Sequence, residues 1–251
     1  MLVLGIETST PLSSVALWGP AGPVGEMMLA KSRGHVEFLM PAIGRLCEDA
    51  DVSMQEITGI AVGLGPGLFT GMRVGIATAK TMARTLRVPI VGVSSLDLIA
   101  FGVRYSPKLI CACIDAKRRE VFAGFYRQAP GGVLRLSDYR AWDPAGLAGE
   151  LIARREEVLF VGNGAAVYRD DLAEVGGEMA TGGTQFPSAQ ALCELAIPRF
   201  EREETTSVAL IEPLYVRRSD AEIKWEERGV TIERPLRVRL SKRARAAQEN
   251  R

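Results

Sequence analysis

The stretch GIAVGLGPGLFTGMRVGIATAKTMARTL, residues 59–86, has the pattern of a strand, a tight turn and a helix. Its apolar run from Ile60 to Leu64 predicts a buried strand, and a glycine–proline turn overlaps the end of that run at 63–67. From Thr70 to Leu86 the pattern predicts a helix rich in small side chains. Free N–H groups at the start of such a helix can bind an anion. The stretch therefore predicts either a phosphate loop or a tight packing joint.

Two features favour the packing joint. The loop lacks the Gly-Lys-[Ser/Thr] sequence of a Walker phosphate loop. The predicted helix also places Gly71, Gly75 and Ala79 on one line, with Thr78 nearby. Small residues with this spacing allow a second helix to approach closely. We expect that second helix to be the one predicted at Ser32–Ala50.

The helix predicted at Ser32–Ala50 has more apolar surface than one core requires. The first apolar stripe consists of Val36, Met40, Ile43, Cys47 and Ala50, and the second of His35, Phe38, Leu39, Ala42 and Leu46. Together they cover roughly twice the ~100° arc that is typical of a helix on one core. We therefore expect this helix to contact both its own sheet and a partner protein. Pro41 predicts a kink or an irregular first turn.

The order of predicted elements repeats along the chain. Both halves have the pattern βββαβα, the first starting at Leu2 and the second at Leu109. Repetition of one unit predicts two similar α/β subdomains facing each other across a cleft, as in actin-like and sugar-kinase-like proteins. We expect these subdomains over residues 1–104 and 105–225, followed by a basic, flexible tail over 226–251.

Composition excludes several classes of protein. The 31 basic and 30 acidic residues nearly cancel, so there is no overall nucleic-acid signature. No apolar run of 18 residues predicts a membrane span, and MLVLGIETST at the N-terminus has a strand pattern instead of a signal peptide. We expect a cytoplasmic protein that binds no membrane. The cysteines lack zinc spacing, and we interpret Cys111 and Cys113 as buried thiols on one face of a strand.

Two polar hairpin turns are candidate phosphate contacts, and the predicted architecture would place them opposite each other. The first turn contains Glu7, Thr8 and Ser9. These residues either contact a phosphate or Mg²⁺, or they only form a polar hairpin. Asp115 begins the second turn, which extends to Arg119. Its carboxylate either holds a metal-bound water or favours the turn by local hydrogen bonding. Both interpretations stay open at this point.

Gly162 and Gly164 lie in a turn after an apolar strand. The turn fits an adenosine site, although a strand-to-helix turn that needs positive φ is the favoured interpretation. His35 is the only histidine, so it cannot form a histidine pair for zinc or iron. Because the sequence also lacks a Gly-x-Ser-x-Gly elbow, we predict no catalytic residue and no metal site.

Four blocks of the sequence resemble one family in order and spacing. They are Gly5–Thr10 with Ser14–Leu17, Gly63–Gly75, Ile114–Phe122 and Pro213–Arg217, and Gly63–Gly75 is the most specific. These blocks closely resemble the TsaB (YeaZ) family of the bacterial tRNA threonylcarbamoyladenosine machinery. The resemblance extends over roughly residues 1–225.

The resemblance implies an actin-like ATPase (ASKHA, RNase H-like) fold of two βββαβα-type subdomains. Members of the family are degenerate paralogues of the catalytic subunit TsaD and pair with it, or with themselves, through N-terminal helices. TsaE supplies an ATPase, and the complex transfers threonylcarbamoyl from threonylcarbamoyl-AMP to N6 of the adenosine 3′ of the anticodon. This chain would then need no cofactor of its own. ATP or ADP would bind at the complex interface or in the cleft, and tRNA would be reached through the complex.

The helix patterns and the resemblance together predict a partner interface. Its predicted residues are His35, Phe38, Leu39, Ala42, Leu46, Gly71, Val74, Gly75 and Thr78. An autonomous ASKHA ATPase or kinase is the alternative function, and Glu7, Asp115 and the turn at 162–164 support it. A third function, a peptidase M22-like glycoprotease, rests on older family naming and lacks the histidines of a metal site.

Overall fold

Two mixed β-sheets follow one another along the chain in the computed structural model, which describes residues 1–30 and 34–217. The first sheet contains β1 (Val3–Glu7), β2 (Leu12–Gly19), β3 (Gly22–Ala30), β4 (Gly59–Gly63) and β5 (Ile90–Val93). Its spatial order is β3-β2-β1-β4-β5. The first three strands form an antiparallel meander, and β4 and β5 continue parallel to β1.

Three helices follow strands of the first sheet. They are α1 (His35–Asp49), α2 (Phe69–Leu86) and α3 (Ser95–Phe101). The predicted start of α1 at Ser32 lies outside the described residues, and Gly34 is the N-cap with a φ of 112°. Helix α1 remains one element through Pro41, whose side chain is exposed. Ser53 followed three residues later by Glu56 is the sequence pattern of a capping box, and both of its hydrogen bonds are present on a short 3₁₀ helix at Met54–Glu56.

The second sheet repeats the topology of the first. Its strands are β6 (Leu109–Lys117), β7 (Glu120–Ala129), β8 (Gly132–Arg135), β9 (Arg140–Trp142), β10 (Val158–Val161) and β11 (Glu178–Met179). The spatial order of this sheet is β11-β10-β6-β7-β8. Written from the other edge, β8-β7-β6-β10-β11, it matches the order β3-β2-β1-β4-β5 of the first sheet strand for strand, and β9 is added beside β7. The predicted internal repeat is therefore confirmed, whereas the three-residue β9 was not predicted.

Four further helices complete the described chain. They are α4 (Pro144–Arg154), α5 (Asn163–Val167), α6 (Arg169–Leu172) and α7 (Ala189–Glu201). Helices α4, α5 and α6 cover one face of the second sheet, and α3 packs on its other face. Among the residues that the structure describes, no helix is long and apolar enough to span a membrane.

The first sheet is buried on both faces. Leu4 and Ile6 of β1 face α1 and α2, while Val3 faces α7. This alternation follows from the pleat of a strand, which sends neighbouring side chains to opposite faces. Helix α7 thus returns from the second half of the chain to cover the first sheet. The boundary predicted at residue 104 stays a prediction, and the whole of the predicted tail, 226–251, lies outside the described residues.

Candidate functional site

Helix α2 presents glycines to the turn that follows β1. A Cβ atom on Gly71 would overlap the carbonyl oxygen of Thr8, and one on Gly75 would overlap Thr8 Oγ1. Thr8 Oγ1 donates a hydrogen bond of 2.8 Å to the Gly71 carbonyl. The glycines therefore allow α2 to lie directly on the backbone of this turn.

The predicted packing joint is confirmed, but the neighbour predicted for it was wrong. We expected the helix at Ser32–Ala50, and the glycines instead meet the turn at Thr8. The reason is topological, since β4 pairs in parallel with β1 and α2 crosses the end of β1 after leaving β4. Helix α1 approaches the same place at His35, whose Nε2 lies 3.4 Å from the position of a Cβ on Gly71.

The loop before α2 also covers the turn. Leu68 N donates a hydrogen bond of 2.6 Å to the carbonyl of Ser9. A Cβ on Gly67 would overlap that carbonyl, so the loop approaches as closely as its backbone permits. Thr8 and Ser9 are consequently no more than 1% exposed.

Glu7 is a fully buried carboxylate that connects β1 with the first turn of α3. Its Oε1 accepts a hydrogen bond from Ser9 N at 2.6 Å, and its Oε2 accepts one from Ser95 Oγ at 2.8 Å. The missing side chain of Gly63 leaves room for the carboxylate. Burial raises the pKa of Glu7, although its hydrogen bonds to residues 9, 95 and 8 act in the opposite direction.

The prediction that Glu7, Thr8 and Ser9 contact a phosphate does not fit this geometry. All three side chains are enclosed beneath α2 and its preceding loop. A phosphate group would have to displace the start of α2 to reach them. The Glu7 and Thr8 side chains hydrogen-bond to protein groups, whereas Ser9 Oγ is buried without a hydrogen-bond partner among the described residues. The start of α2 packs directly on this turn.

Asp115 lies at the end of β6, inside the strand and not in the turn predicted for it. Its Oδ1 accepts hydrogen bonds from Lys117 N at 2.9 Å and from Tyr168 OH at 3.4 Å. Its Oδ2 forms an ion pair of 2.5 Å with Lys117 Nζ. The lysine thus supplies the positive charge opposite this buried carboxylate, which favours the structural interpretation of Asp115. Within 1–30 and 34–217, no group of three or more His, Cys, Asp or Glu could hold a metal ion.

Gly162 and Gly164 pack against the end of β6. Gly162 has a φ of 96°, which confirms the predicted positive φ. A Cβ at Gly162 would overlap the carbonyl of Cys113, and one at Gly164 would lie within 3.0 Å of Asp115 N. Asn163 Oδ1 accepts a hydrogen bond of 3.3 Å from the same nitrogen. The structure therefore brings these predicted site residues together, as a packing joint that repeats the one in the first half.

Most of the predicted interface residues are buried within the chain. The buried ones are His35, Leu39, Ala42, Leu46, Gly71 and Gly75. The prediction that these six residues lie on a surface open to a partner was wrong, because each apolar stripe of α1 contributes side chains to the core. Phe38, Val74 and Thr78 are half-buried and remain accessible to a partner.

His35 fixes the start of α1 to the sheet. Its Nδ1 lies 2.6 Å from the hydroxyl of Ser13 on β2, and both side chains are buried. Burial lowers the pKa of His35, which favours the neutral ring. The histidine is thus a structural link on one wall of a groove.

This groove lies between the starts of α1 and α2 and has a volume of about 470 Å³. Val36 and Phe69 line it, with 68% and 38% of their surfaces exposed. Met40, one turn after Val36 on α1, is 47% exposed. The site prediction omitted these three residues. Val36 and Met40 belong to an apolar stripe that the sequence showed, whereas only the structure reveals the exposure of Phe69.

The segment after the last helix is attached beside the groove. The ring of Tyr215 stacks on Phe69 with 5.6 Å between centroids, and Arg73 Nε donates a hydrogen bond of 3.0 Å to the Tyr215 hydroxyl. Leu214 N donates to the carbonyl of Leu64 at 2.8 Å. The sequence block at Pro213–Arg217 therefore packs at the start of α2.

Two sheets of the same strand order, with helices on both faces, define an actin-like ATPase (ASKHA) fold. An activator of 2-hydroxyisocaproyl-CoA dehydratase from Clostridium difficile, solved with bound ADPNP, shares the fold. The TM-score is 0.50 at 12% identity, over 81% of this chain and 96% of the other. A Pseudomonas aeruginosa protein described as similar to peptidase YeaZ has a TM-score of 0.77 at 27% identity, covering 86% of this chain and 99% of its own.

Sequence comparison identifies the family. Residues 29–225 match the model of TsaD, tRNA N6-adenosine threonylcarbamoyltransferase. The tRNA threonylcarbamoyladenosine biosynthesis protein TsaB of Bacillus subtilis is 31% identical over 90% of this chain and 99% of its own length. Its Escherichia coli counterpart is 30% identical over 90% of this chain and 98% of its own length. The chain belongs to the TsaB (YeaZ) family, as the resemblance of its sequence blocks indicated.

Proposed function

We propose that this chain acts in tRNA threonylcarbamoyladenosine biosynthesis as a non-catalytic subunit that pairs with a TsaD-like catalytic subunit. The groove between α1 and α2 is the surface we assign to this pairing. The observation that carries the proposal is the exposure of Val36, Met40 and Phe69 around one groove. Exposed apolar side chains that cluster in this way are typical of a protein–protein interface.

The state of the polar turns supports the non-catalytic part of the proposal. Thr8 and Ser9 are enclosed by α2 and its loop, and Asp115 is paired with Lys117. Catalysis of phosphoryl transfer depends on groups that can reach the phosphates and the metal ion. With Ser9 enclosed, and with Thr8 and Asp115 bonded to protein groups, the chemistry falls to the partner.

The remaining parts of the proposal follow from the resemblance. A TsaE-like ATPase joins the complex, and tRNA reaches this chain through the complex. ATP or ADP binds where the subunits meet, since the turns of this chain are closed to it. In the absence of TsaD, the same apolar groove pairs two copies of the chain.

Substitution of the exposed groove residues tests the proposal. The chain and its cognate TsaD-like subunit are mixed, and their complex is measured by size exclusion and calorimetry. V36E combined with M40E should weaken the complex at least tenfold, because each places a charge in the apolar contact. I152E is the matched control, since Ile152 is 49% exposed on α4. It should leave the affinity unchanged.

Two results would contradict the proposal. One is a complex that tolerates V36E with M40E as well as it tolerates I152E. The other is metal-dependent ATP turnover by the isolated chain that D115A abolishes, which would favour an autonomous ATPase or kinase. Circular dichroism of each variant verifies that the fold is intact before binding is compared.

A further inference from the structure

Arg73 is an exposed cation that the protein holds in one position beside the groove. Its guanidinium carbon lies 4.3 Å from the centroid of the Phe69 ring, and its Nε donates a hydrogen bond of 3.0 Å to the Tyr215 hydroxyl. The Tyr215 ring in turn stacks on Phe69. These contacts order a long side chain in the free protein, so less conformational entropy is lost when the arginine binds a ligand.

The contacts of Arg73 leave its charge without a counter-charge. Within residues 1–30 and 34–217, no carboxylate forms an ion pair with it, and its two Nη groups donate no hydrogen bond. The paired N–H groups of a guanidinium match the two oxygens of a carboxylate. Arg73 therefore presents an ordered pair of donors to a group from outside the described chain.

Helix α2 adds to the positive potential around this side chain. It contains Arg73, Lys80 and Arg84 but no Asp or Glu. Its N-cap residue, Leu68, supplies no side-chain acceptor for the first N–H groups, so the positive end of the helix dipole is not compensated there. Arg73 reaches back over this first turn, as its contact with Phe69 shows. An anion is thus favoured at the start of α2.

The apolar surroundings indicate what kind of anion fits. Val36 and Phe69 line the adjoining groove with 68% and 38% of their surfaces exposed. Glu37, which also lines the groove, belongs to α1. A free inorganic anion would leave the two apolar side chains in water, whereas an acidic residue flanked by apolar ones would pair with the charge and cover them as well. Ordered arginines beside aromatic rings are typical of the residues that dominate protein–protein binding.

We infer that the TsaD-like partner places an acidic side chain at the start of α2, where its carboxylate pairs with Arg73 and its apolar neighbours cover Val36 and Phe69. The inference rests on the proposed function and adds the chemistry of the partner's surface to it. Tyr215 acts as a positioning residue, since it holds the guanidinium through Nε and leaves both Nη groups to the carboxylate.

Substitution of Arg73 tests the inference in the full chain. R73Q should weaken the complex with the cognate TsaD-like subunit at least about tenfold in calorimetry, because it leaves the partner's carboxylate without its counter-charge. R84Q is the matched control, since Arg84 is exposed on the same side of α2, eleven residues or ~16 Å further along. It should change the affinity less than about twofold. Between about 50 and 300 mM salt, the affinity of R73Q should also fall less than that of the natural chain.

Y215F distinguishes the charge of Arg73 from its attachment to the segment at 213–217. This variant keeps the ring on Phe69 and the guanidinium but removes the hydrogen bond to Nε. It should weaken the complex about two- to fivefold, less than R73Q does, because the charge remains and only its order is reduced. The inference is overturned if Y215F weakens the complex as much as R73Q, since Arg73 would then act only by holding that segment.

The partner's carboxylate is located by replacing its Asp and Glu residues one at a time with Asn and Gln. One replacement should weaken binding to the natural chain at least about tenfold and have little further effect on binding to R73Q. The absence of any replacement coupled to Arg73 overturns the inference. A second copy of the chain is the other occupant to be tested. Sedimentation in which R73Q alters self-association but not affinity for the TsaD-like subunit also overturns it.

The same measurements separate this inference from the proposed function. If V36E with M40E disrupts the complex while R73Q binds as well as R84Q, the pairing stands and the role of Arg73 is contradicted. If R73Q weakens a complex that tolerates V36E with M40E, the carboxylate contact is supported and the pairing through the groove is contradicted. A natural chain that forms no complex contradicts both.

Discussion

The glycines of α2 illustrate what can be known of single residues from sequence. Their spacing correctly predicted that something packs closely on Gly71 and Gly75. It could not predict that the neighbour is the carbonyl and hydroxyl of Thr8, because that depends on the pairing of β4 with β1. Spacing along a helix reports which residues share a face, and the sheet topology decides what that face meets.

Substitution of Gly71 by alanine should lower the free energy of unfolding by about 1–3 kcal/mol, because the new Cβ meets backbone that cannot rotate away. Gly44→Ala is the matched control, since its Cβ on α1 would meet no atom within 4 Å. That change should stabilise the chain by about 0.5–1 kcal/mol. Urea denaturation of both variants measures the difference, and equal effects at the two positions would refute the packing joint.

The buried carboxyl of Glu7 predicts that the free energy of unfolding depends on pH. Its pKa is raised in the folded chain, so folding favours the protonated carboxyl. This contribution to stability is complete below the unfolded value of about 4.3 and is lost as pH rises through the folded pKa. Glu7→Gln removes the titration, so the stability of the natural chain relative to this variant should fall from pH 4 to pH 8. Urea denaturation across this range checks it, and a constant difference would show that Glu7 does not titrate as inferred.

At the scale of elements, local signals were the most reliable. The capping box at Ser53 and Glu56 depends on neighbouring residues alone, and both of its hydrogen bonds are present. The two stripes of α1 were also correct as a pattern. Which part of them is exposed, Val36 and Met40, depends on how the helix lies on the sheet. The site prediction therefore selected buried residues where exposed ones were needed.

Helix α7 depends on side chains from distant strands. Its Ala189 N–H donates a hydrogen bond of 2.9 Å to Ser14 Oγ on β2, and its Gln190 N–H donates one of 3.1 Å to Glu26 Oε1 on β3. Its own N-cap, Ser188, accepts from Ala191 N at 3.1 Å. These long-range caps satisfy N–H groups that no helix can satisfy internally.

Removal of the Ser14 hydroxyl should therefore destabilise the chain. Ser14→Ala leaves the Ala189 N–H buried without its acceptor, which lowers the free energy of unfolding by about 1–3 kcal/mol. Thr85→Ala on the exposed face of α2 should change it by less than about 0.5 kcal/mol. Thermal and urea unfolding compare the two. Equal stability of the two variants would mean that water replaces the hydroxyl.

At the scale of the whole molecule, α3 connects the two sheets. Asp97 on α3 accepts hydrogen bonds of 2.8 Å from the hydroxyls of Tyr126 and Tyr139, which belong to the second half of the chain. Burial, together with the charge of Asp97, raises the pKa of Tyr139 to about 12. Burial and the same carboxylate raise the pKa of Tyr126 as well.

These tyrosines predict a loss of stability in alkali. Because folding favours the protonated hydroxyls, their contribution is complete below the unfolded pKa of about 10 and is lost as pH rises through about 12 for Tyr139. Asp97→Asn removes the carboxylate charge, so Tyr139 should ionise at lower pH than in the natural chain. Absorbance at alkaline pH follows this ionisation. An unchanged midpoint in the variant would show that burial alone sets the pKa.

The architecture was largely predictable because it repeats. Two element patterns of the same order support each other. Sequence blocks such as Gly63–Gly75 then indicated one family among the proteins with this fold. The state of the polar turns was not predictable. Whether Thr8 is open to a ligand or covered by α2 depends on distances of closest approach, and whether Asp115 meets a metal or Lys117 depends on side-chain positions.

The return of α7 to the first sheet has a consequence for synthesis on the ribosome. The last strand of that sheet ends at Val93, whereas the helix that covers Val3, Ala16 and Ala61 begins only at Ala189. During translation the first sheet therefore emerges with one apolar face open to water until the second half has been made. The nascent chain must be protected from aggregation through this interval, and its first sheet completes its core only after α7 has been translated.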